Sequence, residues 1–320
     1  MKKLLKGLLV VFMGVSIVAC SSKNKDLTIE WDKENKLADI ISYQVETASQ
    51  TQQITPDVIG TYYKYYKPKT STNVLLDVVL QVTNLKKEEL KLSTAISSQF
   101  LIDDKEYKGY TISISEDGQA IVQGATLAAE ETKKVHFYTE VDPAILDKEI
   151  TFKLASTDKD NEQAAVMKFK LSDVENHYES KKLKDVLTID GTAEVTLESK
   201  DVAKKIEPAK PTGLYTYYKV KSDTNRFVIL KTKIKNISDK EIKASEVMNA
   251  VLIDKDHHEY PCNMFFEKAD QSNLSAASST TLAAGKEGTV YFVFEVSEDM
   301  ANSENTIRMS HMGKVYILKV

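Results

Sequence analysis

The sequence predicts an all-β chain: two tandem β-sandwich domains behind an N-terminal signal peptide. Three observations predict it. Apolar residues alternate with period two, the chain repeats itself at a spacing of 152 residues, and no long stretch carries helical periodicity. With 320 residues and 42% hydrophobic side chains, the chain can fill more than one core, and domains of about 100–200 residues make two the natural number.

The alternation is clearest at 74–83. Leu76, Val78, Leu80 and Val82 share one face; Asp77, Gln81 and Thr83 share the other, with Val79 exposed or half-covered among them. Successive strand side chains point to opposite faces, so this pattern reads as a half-buried strand. The second copy repeats it with Val228, Leu230, Thr232 and Ile234 inward and Lys231, Lys233 and Lys235 outward. Asn84 and Asn236 then break the strands. Further strands are expected at 97–102, 110–115, 134–141, 149–154 and 165–171, and near 248–253, 259–265, 289–296, 305–309 and 314–319. Several short strands with turns between them suggest a sandwich in each copy.

The repeat is legible residue by residue. Ile54 and Pro56 match Ile206 and Pro208; Tyr63, Tyr65 and Tyr66 match Tyr215, Tyr217 and Tyr218; Asn73 matches Asn225. Beyond small insertions, Leu101-Ile102-Asp103 matches Leu252-Ile253-Asp254, and Glu140-Val141 matches Glu295-Val296. The expected division is a signal peptide at 1–19, a lipidated N-terminus and tether at 20–36, sandwich domains at 37–171 and 188–320, and a charged linker at 172–187.

Lys2, Lys3 and Lys6 precede an apolar run from Leu8 to Val18, which ends in Ala19-Cys20. A basic start, a short apolar segment and a small residue at the cut are what a secretory signal requires, and the run is short for a span of about 20 residues. Its ending on a cysteine resembles the bacterial lipobox. That resemblance implies cleavage between Ala19 and Cys20, a diacylglyceryl group on Cys20, and a lipid-anchored protein on the extracytoplasmic face of the cell membrane. Two acyl chains hold stably where one is marginal. Cys262 is then the sole remaining cysteine, so no disulfide framework is expected.

In each copy a long strand ends in Val/Ile-x-Asn, a Leu-Ile-Asp strand follows, and a Leu-Ala-Ala turn precedes a strand ending Glu-Val. This order resembles the immunoglobulin-like domains of unknown function found in Gram-positive lipoproteins and secreted antigens. Copy two keeps Leu282-Ala283-Ala284-Gly285, whereas copy one has Glu130 where the glycine would stand. The resemblance implies an immunoglobulin-like sandwich and no catalytic residues.

Acids outnumber bases, 47 to 43, and without the three N-terminal lysines the net charge is −7, which argues against nucleic-acid binding. Gly-x-Ser-x-Gly, His-Glu-x-x-His and a phosphate-cradling glycine loop are all missing, so no enzyme is expected. Two constellations stand out. The run Tyr62, Tyr63, Tyr65 and Tyr66 carries Lys64 and Lys67, and Tyr215, Tyr217 and Tyr218 echo it with Lys219 and Lys221. Read as a strand, one face packs and the other offers tyrosine to a surface protein or an anionic envelope polymer. Copy two also gathers His257, His258, Cys262, Met264 and His311, soft or borderline ligands suited to copper or zinc. The alternative reading makes these a polar hairpin tip and core filler. The function expected is non-catalytic binding, with copper or zinc handling by the second domain as the alternative.

Overall fold

Alternating apolar residues become strands because each strand buries one face against a second sheet. A computed structural model describes residues 26–320 apart from 58–63, 116–117, 119, 160, 190, 257 and 312–313. The expected signal peptide, Ala19, Cys20, Tyr62, Tyr63 and His257 lie outside the described residues.

The first half contains β1 (Leu27–Thr28), β2 (Asn35–Leu37), β3 (Ile41–Thr51), β4 (Val74–Asn84), β5 (Ile96–Ile102), β6 (Lys105–Lys108), β7 (Tyr110–Ile114), β8 (Ile121–Gln123), β9 (Thr132–Val141), β10 (Ile150–Ser156) and β11 (Ala164–Phe169). A short helix, α1 (Leu171–Val174), leads into the second half. There follow β12 (Glu179–Lys181), β13 (Val186–Ile189), β14 (Ala193–Ala203), β15 (Asn225–Asn236), β16 (Asn249–Ile253), β17 (Glu259–Pro261), β18 (Asn263–Glu267), β19 (Leu274–Ala276), β20 (Glu287–Ser297), β21 (Thr306–His311) and β22 (Lys314–Lys319).

Each half is a sandwich of a 5-stranded and a 6-stranded sheet. The small sheets run β1-β11-β10-β5-β6 and β12-β22-β21-β16-β17; the large sheets run β2-β3-β4-β9-β7-β8 and β13-β14-β15-β20-β18-β19. The two orders correspond strand for strand. Facing residues fill the cores: Leu80, Phe137, Phe100 and Phe152 in the first, and Leu230, Phe292, Leu252 and Ile307 in the second. Burying one such side chain contributes about 1.5–3 kcal/mol. Thr232, inward as expected, satisfies its hydroxyl on the Val290 carbonyl at 2.9 Å.

The expected tether and linker are partly folded. Leu27–Thr28 pairs in parallel with Ala165–Val166, and Trp31 packs into the first core. Glu179–Lys181 pairs in parallel with Tyr316–Leu318. Each copy therefore begins with an edge strand laid against its own last strands, and the copies begin before residues 37 and 188.

The match of Leu101-Ile102-Asp103 to Leu252-Ile253-Asp254 is one residue out of register. Ile102 pairs with Ile150, whereas it is Leu252 that pairs with Ile307, its counterpart. Ile102 and Leu252 both face the core, and Ile253 faces outward. A shift of one residue moves a side chain to the opposite face. The offset arises because the first hairpin turns through Asp103 and Asp104 (φ 53° and 62°), whereas five residues, 254–258, separate the paired ends of the second.

The repeated asparagines and glutamates tie turns. Asn84, fully buried, donates to the Glu88 and Ala128 carbonyls at 2.8 Å each and accepts from Lys86 N–H. Asn236 does the same toward Lys240, Leu282 and Ser238. Glu140 accepts from the backbone of Lys69 and Thr70 and from Asn73; Glu295 accepts from Lys221 N–H and Asn225. These motifs hold the fold rather than a ligand.

Candidate functional site

The tyrosine runs are straps outside the main sheets: Tyr66 makes a single bridge to Ile54, and Tyr218–Lys219 forms a two-residue ladder with Lys205–Ile206. The described parts of the connection between β3 and β4 lie on the outer face of the large sheet, where Ile54 and Tyr66 exchange backbone hydrogen bonds of 2.9 and 3.0 Å. The Tyr66 ring lies 5.9 Å from Tyr138, its hydroxyl accepts from Gln123, and the strap seals a small outer cluster of Ile54, Leu75 and Ile112. In the second copy Tyr218 stacks on Phe265 at 3.8 Å above a larger cluster around Ile206, Phe227 and Tyr291. One tyrosine per strap is thus packing. Tyr65 (49% exposed), with Lys67 Nζ 5.0 Å from its ring, and Tyr217 (53% exposed), with Tyr215 at 6.3 Å, face solvent. Tyr110, equally exposed and 5.8 Å from Tyr138, extends the first patch.

The soft-ligand residues are only partly brought together: Met264 and His311 line one cavity, whereas Cys262 and His258 lie at others. His258 sits at the tip of the β16–β17 hairpin, its Nδ1 3.0 Å from Asp254 Oδ2. With Asp256 these form the one described His/Cys/Asp/Glu group spaced to hold an ion. Asp254 already accepts the N–H groups of Asp256 and His258, so it organises the turn. Cys262 occupies the corner where the chain passes from the small sheet to the large one, as Gly109 does in copy one. A Cβ at Gly109 would meet Ser98 Oγ at 2.1 Å. The Cys262 thiol is buried, donates to the Asn263 carbonyl at 3.3 Å, and is pushed up by burial. Met264 is core filler, and His311 is half-buried at the end of β21.

Between the sandwiches lies a charged layer that the sequence reading missed. The outer face of the first large sheet packs on the outer face of the second small sheet. Glu46, at a β-bulge in β3, is 3% exposed. Lys134 Nζ lies 2.7 Å from Asp57 Oδ2 and 3.4 Å from Glu46 Oε1, and Gln81 donates to Glu46 at 2.6 Å. His136 Nδ1 lies 2.7 Å from Asp77 Oδ2. From the second sandwich, Asn249 donates to Asp57 at 2.8 Å, and Arg308 holds Glu259 at 2.7 Å.

Burial opposes the charges of Glu46, Lys134 and His136, and each is rescued by a partner. Burial pushes the Glu46 carboxyl up, but Lys134 and the Gln81 and Ser310 side chains outweigh it, holding the group below its ordinary value. Burial pushes Lys134 and His136 down; Asp57 with Glu46, and Asp77, respectively, more than reverse that. Asp77 Oδ1 and His136 Nε2 carry no hydrogen bond in the structure and line a cavity of about 60 Å³ between the sandwiches, large enough to admit water.

The second copy has the same bulge at Glu198, but among the described residues no sandwich covers it. There Glu198 pairs with Lys231 at 3.3 Å and Lys233 with Glu287, both partly exposed. Where copy one has Asp77 and His136, copy two has Ile229 and Tyr291 under its strap. The signal in the sequence was Val79: a valine on a polar face, 5% exposed because a domain covers it. An Asp–His pair activates a neighbouring nucleophile in hydrolases. The thiol at the same cavity, Cys262, is packed inward and hydrogen-bonded to Asn263, and the Asn249–Asp57 bond ties this charged layer across the two sandwiches as a clamp.

Among the described residues no helix is long and apolar enough to cross a membrane. A family model described as "Domain of unknown function (DUF4352)" matches residues 156–314. No curated protein matches the chain. Among solved structures, the chain is similar to an uncharacterized beta-sandwich protein from Clostridium difficile 630, at 15% identity and TM-score 0.41, over 45% of this chain and 95% of that one. A conserved hypothetical protein from Bacillus anthracis matches at 12% identity and TM-score 0.30, over 43% and 94%. A marsupial T cell receptor matches at 8% identity and TM-score 0.22, over 88% and 100%.

Proposed function

We propose that the chain is a bacterial surface lipoprotein, held on the extracytoplasmic face of the membrane by acylated Cys20. Its two immunoglobulin-like sandwiches bind a protein partner or an envelope component without catalysing a reaction. The basic, apolar and cysteine-terminated first twenty residues support the anchor. The observation that carries the binding role is the tyrosine straps. Each spends one ring on packing and turns another outward: Tyr65 beside Lys67, and Tyr217 beside Tyr215. Exposed tyrosines give large contact area for little lost freedom. Because the sandwiches are clamped together, both patches sit at a fixed separation, which favours a two-point contact.

The test is cross-linking on intact cells with full-length protein and the Tyr65→Ala/Tyr217→Ala variant, captured molecules being identified by mass spectrometry. The expected result is a specific species captured by the parent and lost from the double variant, with Cys20→Ser shed from the membrane fraction. Identical capture by both would refute the strap as the binding surface. Deleting a whole sandwich is the wrong control, since it would expose Glu46 and its partners.

A further inference from the structure

Beside the charged clamp lies a groove of about 640 Å³, in the range of small-molecule sites. Its floor is apolar: Leu146 and Val174 from the first core, Leu171 of α1, and Ile253 and Ile317 of the second small sheet. Arg308 stands at one end, between this groove and the clamp cavity. Its side chain is 12% exposed, and its one hydrogen bond among the described residues runs to Glu259 through Nη2. A guanidinium carries five N–H donors, so donor capacity remains at the wall that Arg308 shares between the groove and the clamp cavity. The Tyr178 hydroxyl lies at the same wall, near the Ala48 backbone; its oxygen is buried and completes no well-formed hydrogen bond. The acids Asp147 and Glu175 sit on the exposed rim, and Glu259 is held by Arg308. In copy one the position of Arg308 is Thr151, so this end is particular to the junction.

We propose that this junction groove binds a small amphiphile with one anionic head. The head accepts from Arg308 and Tyr178, and a short aliphatic body lies on Leu146, Leu171, Val174 and Ile317. A charged donor paired with an acid in a half-dry site discriminates strongly against an uncharged head, while the apolar floor contributes through buried area. The site is independent of the tyrosine straps.

The test is calorimetric titration of the chain produced without residues 1–20, which keeps every element described above. Decanoate and decyl phosphate distinguish a carboxylate source from a phosphate source, and decanol is the uncharged control. The expected result is saturable one-to-one binding of at least one anion, at least tenfold weaker for decanol. Tyr178→Phe should weaken it several-fold, and Ser172→Trp, an exposed wall position, at least tenfold. Arg308→Gln should abolish it. Because Arg308→Gln also disturbs the clamp, the Tyr178 and Ser172 variants decide. Absence of saturable binding by either anion, or binding unchanged in both those variants, overturns the proposal.

Discussion

Replacing Lys134 by methionine removes the one cation between two carboxylates. Lys134 Nζ lies 2.7 Å from Asp57 and 3.4 Å from Glu46, and Glu46 is 3% exposed. Methionine keeps most of the aliphatic volume, so the change isolates the charge. Breaking a buried pair while leaving its partner charged costs about 3–5 kcal/mol, which for a chain of this size lowers the melting temperature by about 5–8 °C. Urea titration at pH 7 would read the cost as a lower midpoint at unchanged slope. Pairing Lys134→Met with Glu46→Gln should recover most of it. A loss below about 1 kcal/mol, the figure for a solvent-exposed pair, would refute the claim that the layer is dry. The same layer sets a pH window. Glu46 is held below its ordinary value of 4.5, so its stabilisation is present above that pH and lost as pH falls through its lowered folded value. His136 is held above 6.5, so its stabilisation is complete below that pH and lost as pH rises through its raised folded value. The clamp is strongest between about pH 4.5 and 6.5, and His136→Gln should flatten the alkaline limb.

Other outcomes follow from single positions. Glu130 sits at φ 61°, where copy two has Gly285 at φ 71°; Glu130→Gly should stabilise the chain by about 1 kcal/mol, read by thermal melting. Asn84→Ala and Asn236→Ala should each cost about 2–3 kcal/mol, because two carbonyls at each strand end lose their donor. The Cys262 thiol should react with a disulfide reagent only on unfolding, since it is buried and pushed up; fast labelling of native protein would contradict that placement. Zinc titration monitored by calorimetry should respond to His258→Ala if the hairpin tip binds, and should be indifferent to Cys262→Ser, because the thiol points into the core.

What the sequence revealed was what repeats and what alternates. The long strands β4 and β15 announce themselves through inward valine and leucine, whereas β3 and β14, of nearly the same length, were not read. The edge strands β1 and β12 did not announce themselves, because two or three residues such as Leu27–Thr28 and Glu179–Lys181 are too short to show a period. They form because a last strand offers open backbone groups, a fact of tertiary assembly. The tyrosine runs were legible as special and as divided between a packed and an outward face, but not which ring packs, which depends on what lies beneath. The clamp was least legible. Glu46, Asp77, Lys134 and His136 sit at outward positions, where charge ordinarily means solvent, and nothing local says that another domain covers them.

The two sandwiches meet through unlike faces, the large sheet of one against the small sheet of the other. A dyad would have used the same surface twice and ended there. This arrangement has a direction. It leaves the small sheet of the first sandwich and the large sheet of the second without another sandwich against them, like a stair with a tread at the bottom and a riser at the top. A third duplicated unit could be added at either end without disturbing the existing joint. The Glu198 bulge repeats the bend at Glu46, but Lys231 already holds it and Ile229 and Tyr291 stand where Asp77 and His136 stand below, so the next step would need a foothold of different chemistry.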